Sequence, residues 1–144
     1  MVIVQPEIRS ILRCDRGAAA VEFAIIAPIF ILSLLTLVAY GIYLGAAHSV
    51  QQLAADAART AVAGITQDER IQLVNNYINA STMNDPFLDR KQIKAVVAVD
   101  PLNVNQFTVS IEFDAENLPI WNLYSFALPS KTISRFSTIR MVGI

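Results

Sequence analysis

The chain has 144 residues, 54% of them hydrophobic, with a formal net charge of −1 and one cysteine. A positive mean hydropathy is too apolar for an ordinary small soluble domain, and the absence of a Lys/Arg block argues against nucleic acid as a partner. The lone cysteine, Cys14, excludes an internal disulfide, and with a single histidine, His48, it excludes a Cys/His zinc site.

Residues 1–17 read as a short basic leader. Arg9, Arg13 and Arg16 are offset only by Glu7 and Asp15, and Pro6 breaks regularity early. From Phe23 to Ala47 there is no Asp, Glu, Lys or Arg. A membrane-spanning helix needs about 20 such residues, whereas the apolar core of a secretory signal has about 7–15, so a retained span is expected. The next basic residue is Arg59. The positive-inside bias therefore puts the N-terminus in the cytoplasm and residues after about 48 across the membrane. His48, at the end of the span, is expected to be an interfacial polar residue.

One carboxylate, Glu22, stands in "DRGAAAVEFAIIAPIF". Burying an unpaired charge in lipid costs about 2.5–3.5 kcal/mol at a helix centre. Glu22 must lie near enough to the edge to stay wet, or have a partner.

Residues 18 to about 63 are expected to form one helix. Its first part is uniformly apolar. In the second, Val50, Leu53, Ala54, Ala57, Ala58, Ala61 and Val62 recur at helical spacing, with Gln51, Gln52, Asp56 and Arg59 largely between them. Gly64 is a natural stop. Some 45 residues at ~1.5 Å each make a rod of about 68 Å, more than twice the ~30 Å hydrocarbon thickness. The spans expected are a leader at 1–17, a transmembrane half at 18–47, an exported amphipathic half at 48–64 and a small head at 65–144.

Thr66 and Glu69 fit a capping box opening a second helix to about Ala80, with Ile71, Val74 and Ile78 on one face. "STMNDP" ends it, since Pro86 and the Asn/Asp cluster are turn chemistry. "QFTVSIEFDA" alternates cleanly, Phe107, Val109, Ile111 and Phe113 to one side and Thr108, Ser110, Glu112 and Asp114 to the other, as in a half-buried strand. "KQIKAVVAV" (91–99) is a second strand with Ile93, Ala95, Val97 and Val99 inward, "DPLNVN" (100–105) a hairpin connection, and about 133–142 a third strand. "LPIWNLYSFALPSK" is aromatic-rich and irregular; Trp121, Tyr124 and Phe126 are expected to fill the core. The fold class is α+β, with the long helix packed on a small antiparallel sheet.

Basic residues, Gly17, four small or apolar residues, Glu22, the aromatic Phe23 and a long apolar run together resemble the type IV prepilin signal. "RGAAAVEFAIIAPIF" followed by "AADAART" resembles more narrowly the TadE-like family, minor pseudopilins of the Tad (Flp) pilus; the resemblance covers roughly residues 13–62. It implies a pilin-like fold and a prepilin peptidase cutting between Gly17 and Ala18. It further implies N-methylation of Ala18, and Glu22, followed by Phe23, guiding insertion into a fibre. The implied partners are other pilins and minor pseudopilins, the peptidase, the Tad inner-membrane platform and membrane lipid. The implied place is the bacterial inner membrane with the head periplasmic, or the extracellular pilus, where cell adhesion is served.

The physics of Glu22 agrees with this. Cleavage frees an α-amine at Ala18, with intrinsic pKa near 8, at a helix N-terminus whose dipole disfavours a cation. Glu22 lies one turn further on, on a similar face, and its carboxylate can balance that amine on its own chain or on a neighbour.

Three further positions bear on helix packing. Pro28 lacks an N–H and frees the Ala24 carbonyl, so a kink is expected; it either lets the helix bend on leaving the membrane or is an ordinary transmembrane proline. Gly41 and Gly45 have the G-x-x-x-G spacing of close helix–helix approach, with Ala46 and Ala47 extending the small surface. Tyr40 and Tyr43 mark the outer interface. No enzymatic activity, cofactor, metal or small-molecule substrate is expected: Glu112, Asp114 and Glu116 are the nearest approach to a carboxylate cluster, and the first two alternate on the solvent face of a strand. The alternatives are an uncleaved single-pass protein whose head binds an envelope partner, a soluble protein freed near "LGAAH", and a pseudopilin of type II secretion.

Overall fold

The computed structural model describes residues 15–82, 88–122 and 129–141. The basic leader up to Cys14, Pro86, Tyr124 and Phe126 lie outside the described residues. Helix α1 runs Asp15–Ala61, α2 Gln67–Ser81, and strands β1 Ile93–Asp100, β2 Asn103–Asp114 and β3 Thr132–Arg140 follow. The arrangement is α+β. The chain divides into two compact units, 1–38 and 39–144.

The first unit is the apolar part of α1. Its large side chains, Val21, Ile25, Ile29, Phe30 and Leu37 among them, are exposed. Pro28 lies inside the helix, whose assignment continues on both sides. Ser33 and Thr36 return their hydroxyls to the carbonyls of Ile29 and Leu32, at 2.8 and 2.7 Å, so they ask nothing of the surroundings. The helix is long and apolar enough to cross a membrane.

In the second unit α1 packs on the sheet. The strands form an antiparallel meander in the order β1-β2-β3. Val97 stands opposite Val109 and Phe107 opposite Ile139. Alternation along β2 sends Phe107, Val109, Ile111 and Phe113 inward, all fully buried, to meet Val50, Leu53, Ala54, Ala57, Ala58 and Ala61 of α1 and Val74 and Ile78 of α2 in one core. On β1, Ile93 is buried while Ala95, Val97 and Val99 are half-buried against that core.

Two inward expectations are corrected. Val62 is 45% exposed, because α1 ends at Ala61 and the turn rotates the next residue away. Ile71 is 37% exposed, and Arg70 takes the buried place beside it. The strands begin and end within a few residues of the expected bounds, but β2 starts at Asn103, with Asp100 paired to Asn103. The hairpin is therefore tighter than residues 100–105.

The α1–α2 turn is built around Arg70, which is only 8% exposed. Its Nε donates to the Gly64 carbonyl at 3.1 Å, Nη2 approaches the Met141 sulfur at 3.6 Å, and the guanidinium lies 4.9 Å from the centre of the Phe107 ring. Cation–π stacking makes burial of this charge tolerable. Gly64 is needed for contact: a Cβ there would lie 2.8 Å from Arg70 Cγ and 2.9 Å from its backbone nitrogen. The capping box is present. Glu69 N–H donates to Thr66 Oγ1 at 3.3 Å, and Glu69 Oε2 accepts from the backbone N–H groups of Thr66 and Ile65 at 3.1 and 2.8 Å.

Gly64→Ala should lower stability by about 1–3 kcal/mol, the usual range for overpacking, read as a fall in the unfolding midpoint of the full chain in detergent. The backbone N–H groups of Thr66 and Ile65 hold the Glu69 carboxyl below its ordinary pKa. A depressed folded value means that this stabilisation is complete above the unfolded pKa of about 4.3 and is lost as pH falls through the folded value. Glu69→Gln should therefore be the less stable chain near neutrality, with the gap to the parent closing in acid; a denaturation series over pH checks the sign.

Candidate processing and assembly site

The segment expected to be processed lies in the first turns of α1. Gly17 is the third residue of the helix, is exposed, and has nothing within 4 Å of a built Cβ. Ala18 follows on the same exposed surface. Glu22 is one turn beyond Ala18, also exposed, and no hydrogen bond or ion pair engages it among the described residues. Phe23 is 72% exposed. Gly17, Ala18, Glu22 and Phe23 thus share a short stretch of helix whose side chains find no partner within their own unit.

Further along, Gly41 is exposed and Gly45 half-buried. Ala46 and Ala47, read as extending a small surface for a neighbouring helix, are instead buried in the core of the head together with Ala39. Their small size lets α1 lie close on its own sheet. Tyr43 also turns inward, its hydroxyl donating to the Ser130 carbonyl at 3.2 Å. His48 is exposed.

Among the described residues of the head, one carboxylate-lined groove is the nearest approach to a ligand site. Glu112, Asp114 and Glu116 line a groove of about 450 Å³ with Lys91, Lys94 and Lys131. Asp114 Oδ1 accepts the Glu116 N–H at 3.0 Å and Glu116 pairs with Lys131 at 2.8 Å, so Asp114 and Glu116 are engaged in local structure. No group of three His, Cys, Asp or Glu suited to a metal occurs among the described residues. Trp121 is half-buried against the core and donates its Nε1–H to the Ala115 carbonyl at 2.6 Å.

The stretch that stands out in the structure is also the one that matches other proteins. Residues 17–59 match the family model of the TadE-like proteins. The match begins at Gly17 and ends two residues before α1 does, so it takes in the exposed apolar part, Glu22 and most of the face that covers the sheet. The likeness is confined to this segment, less than a third of the chain. Comparison with curated proteins gives no match, and neither does comparison with solved structures.

Glu22 and Phe23 are exposed, so Glu22→Gln and Phe23→Ala should each change the stability of the chain by less than about 0.5 kcal/mol, as exposed substitutions do. Unfolding midpoints of the full-length variants in detergent check this and separate folding from any effect on association.

Proposed function

We propose that this chain is a minor pseudopilin, a non-enzymatic assembly subunit of a Tad (Flp) pilus. A prepilin peptidase would process it after Gly17, and it would enter the fibre through its N-terminal helix. The observation that carries this reading is Glu22, without a partner among the described residues and followed by Phe23, five residues after a glycine at the start of an exposed apolar helix within a TadE-like segment.

The physical sequence runs as follows. Residues 1–17 stay in the cytoplasm and the apolar half of α1 holds the chain in the inner membrane, with the head periplasmic. Gly17 lowers helix propensity by about 1 kcal/mol relative to alanine, at the place where the backbone must open to a protease. Cleavage leaves residues 18–144 with a new cation at Ala18, which methylation on nitrogen would leave charged. Glu22 then meets that cation, within one chain or across two packed helices. In low dielectric such a pair is strong when made and costly when broken, which favours subunits seated in one axial register. Phe23, Pro28 and Gly41 are exposed on the helix and Gly45 is half-buried there; neighbours, other pilins and the platform proteins among them, would pack at these positions.

Intact mass of the membrane-extracted protein tests the reading. Co-expression with a prepilin peptidase should remove about 1.9 kDa, the share of 17 residues in a 15.8 kDa chain of 144, and expose Ala18 as the first residue. Gly17→Arg should block both the mass change and piliation. An unchanged mass with the peptidase present, in a fibre that still assembles, would support the permanently anchored alternative.

A further inference from the structure

The two edges of the sheet are treated differently. The β1 edge is covered: Gln67 Nε2 donates to the Val97 carbonyl at 2.7 Å, Arg90 Nη1 donates to the Ile93 carbonyl at 2.9 Å, and α2 packs beside the strand. Among the described residues, no such element covers the β3 edge. Met141 N–H donates to the Asn105 carbonyl and Ala115 N–H to the Lys131 carbonyl, both at 2.7 Å, and the β2–β3 register runs without a shift between them. In an antiparallel pair the bonded residues alternate. The odd-numbered residues of β3 therefore bond to β2, and the even-numbered ones turn their backbone groups outward.

Among the described residues, side chains alone meet that outward row. Gln51 Nε2 reaches the Phe136 carbonyl at 3.4 Å, Arg135 Nη1 folds back on the Ser134 carbonyl at 2.8 Å, and Ser130 Oγ accepts the Thr132 N–H at 3.2 Å. Among the described residues, nothing accepts from the N–H groups of Ser134, Phe136 and Thr138. At the middle of the row Phe136 is 67% exposed.

The strand is also partly symmetric: about Phe136 as centre, Ile133 mirrors Ile139 and Ser134 mirrors Thr138, while Arg135 falls opposite Ser137 and Thr132 opposite Arg140. We propose that the β3 edge pairs antiparallel with β3 of a second copy of this chain, about a two-fold axis at Phe136. The outward groups of the two strands then exchange about ten backbone hydrogen bonds. Phe136 meets its equivalent on the uncovered face, and Ile133 meets Ile139 of the other copy on the core face. Each arginine stands opposite a hydroxyl residue, so no like charges are directly opposed, which matters for cross-strand pairs. The contact is isologous, the same patch on both copies, and joins two three-stranded sheets into one. Gln51 and Arg135 act as latches, since each holds a carbonyl that the second strand must take. The pairing uses residues of the head alone and stands or falls independently of processing at Gly17.

Cysteine cross-linking of the full chain in membranes, in a Cys14→Ser background, reads the register. Phe136→Cys should give a disulfide dimer, because directly opposed residues of a bonded pair have Cα atoms about 5.5 Å apart. Thr138→Cys alone should not, since its two copies would lie about 14 Å apart along the strands. A mixture of Ser134→Cys and Thr138→Cys chains should link across. Ser134→Pro removes an outward N–H that β2 does not use, a position where proline is tolerated, and should abolish dimers in sedimentation while the unfolding midpoint is kept. Gln51→Ala, by releasing the Phe136 carbonyl, should raise the Phe136→Cys dimer yield severalfold. No dimer from Phe136→Cys, or equal yields from positions 136 and 138, would overturn the pairing.

Discussion

The head depends on the contact between the small-residue face of α1 and the inward row of β2. Phe107, Val109, Ile111 and Phe113 are fully withdrawn from water, and fully burying a side chain of that size stabilises a fold by about 1.5–3 kcal/mol. Alanines at 54, 57, 58 and 61 are fully buried on that face of the helix, so the bulk at the contact is supplied by the sheet. Every other element is arranged around that contact. α2 turns back from it to add Val74 and Ile78 and to cover β1, and the segment before β3 is tied to α1 through Tyr43.

Arg70 shows what it takes to close the turn at the end of this contact. It is a buried cation to which no carboxylate is bonded among the described residues; a carbonyl, an aromatic ring and a thioether surround it instead. Those neighbours come from the α1–α2 turn, the start of β2 and the residue after β3. One side chain therefore holds together three parts of the chain that lie far apart in sequence. The cost of desolvating a guanidinium is lower than that of an ammonium, since it is the more weakly hydrated group, which suits arginine to a site without a counter-ion.

A single helix meets two kinds of surroundings. Up to Val38 its apolar side chains are exposed within their unit, and from Ala39 onward one face is buried by the head. A surface of exposed Ile, Leu, Val and Phe on that scale is what lipid or neighbouring helices cover. In the pseudopilin reading, the same surface serves the membrane before assembly and the helical bundle after it. Glu22 is then a charged group whose satisfaction depends on which surroundings are present.

Local and periodic features were legible without the fold. The capping box of Thr66 and Glu69 needs four residues of chain, the alternation of β2 needs about ten, and the seam from Val50 to Ala61 repeats often enough to be read as one face. Gly17, Glu22 and Phe23 were legible for the same reason: a carboxylate in an apolar run is conspicuous wherever the run ends up. Arg70 was not, because in "QDERIQL" it sits among polar residues and nothing local says that Phe107 and Met141 will close over it. Gly64 was read as a helix stop, but the sharper demand on it comes from the approach of Arg70. Ala46 and Ala47 offered a small surface without saying which neighbour would use it. Short-range hydrogen bonding and hydrophobic period are written in consecutive residues, so the sequence by itself determined the elements and most of their inward faces, Val62 and Ile71 excepted. Which sheet edge is covered, which small residues are consumed by the head and which charge is buried depend on contacts between distant segments, so only the tertiary structure decided them.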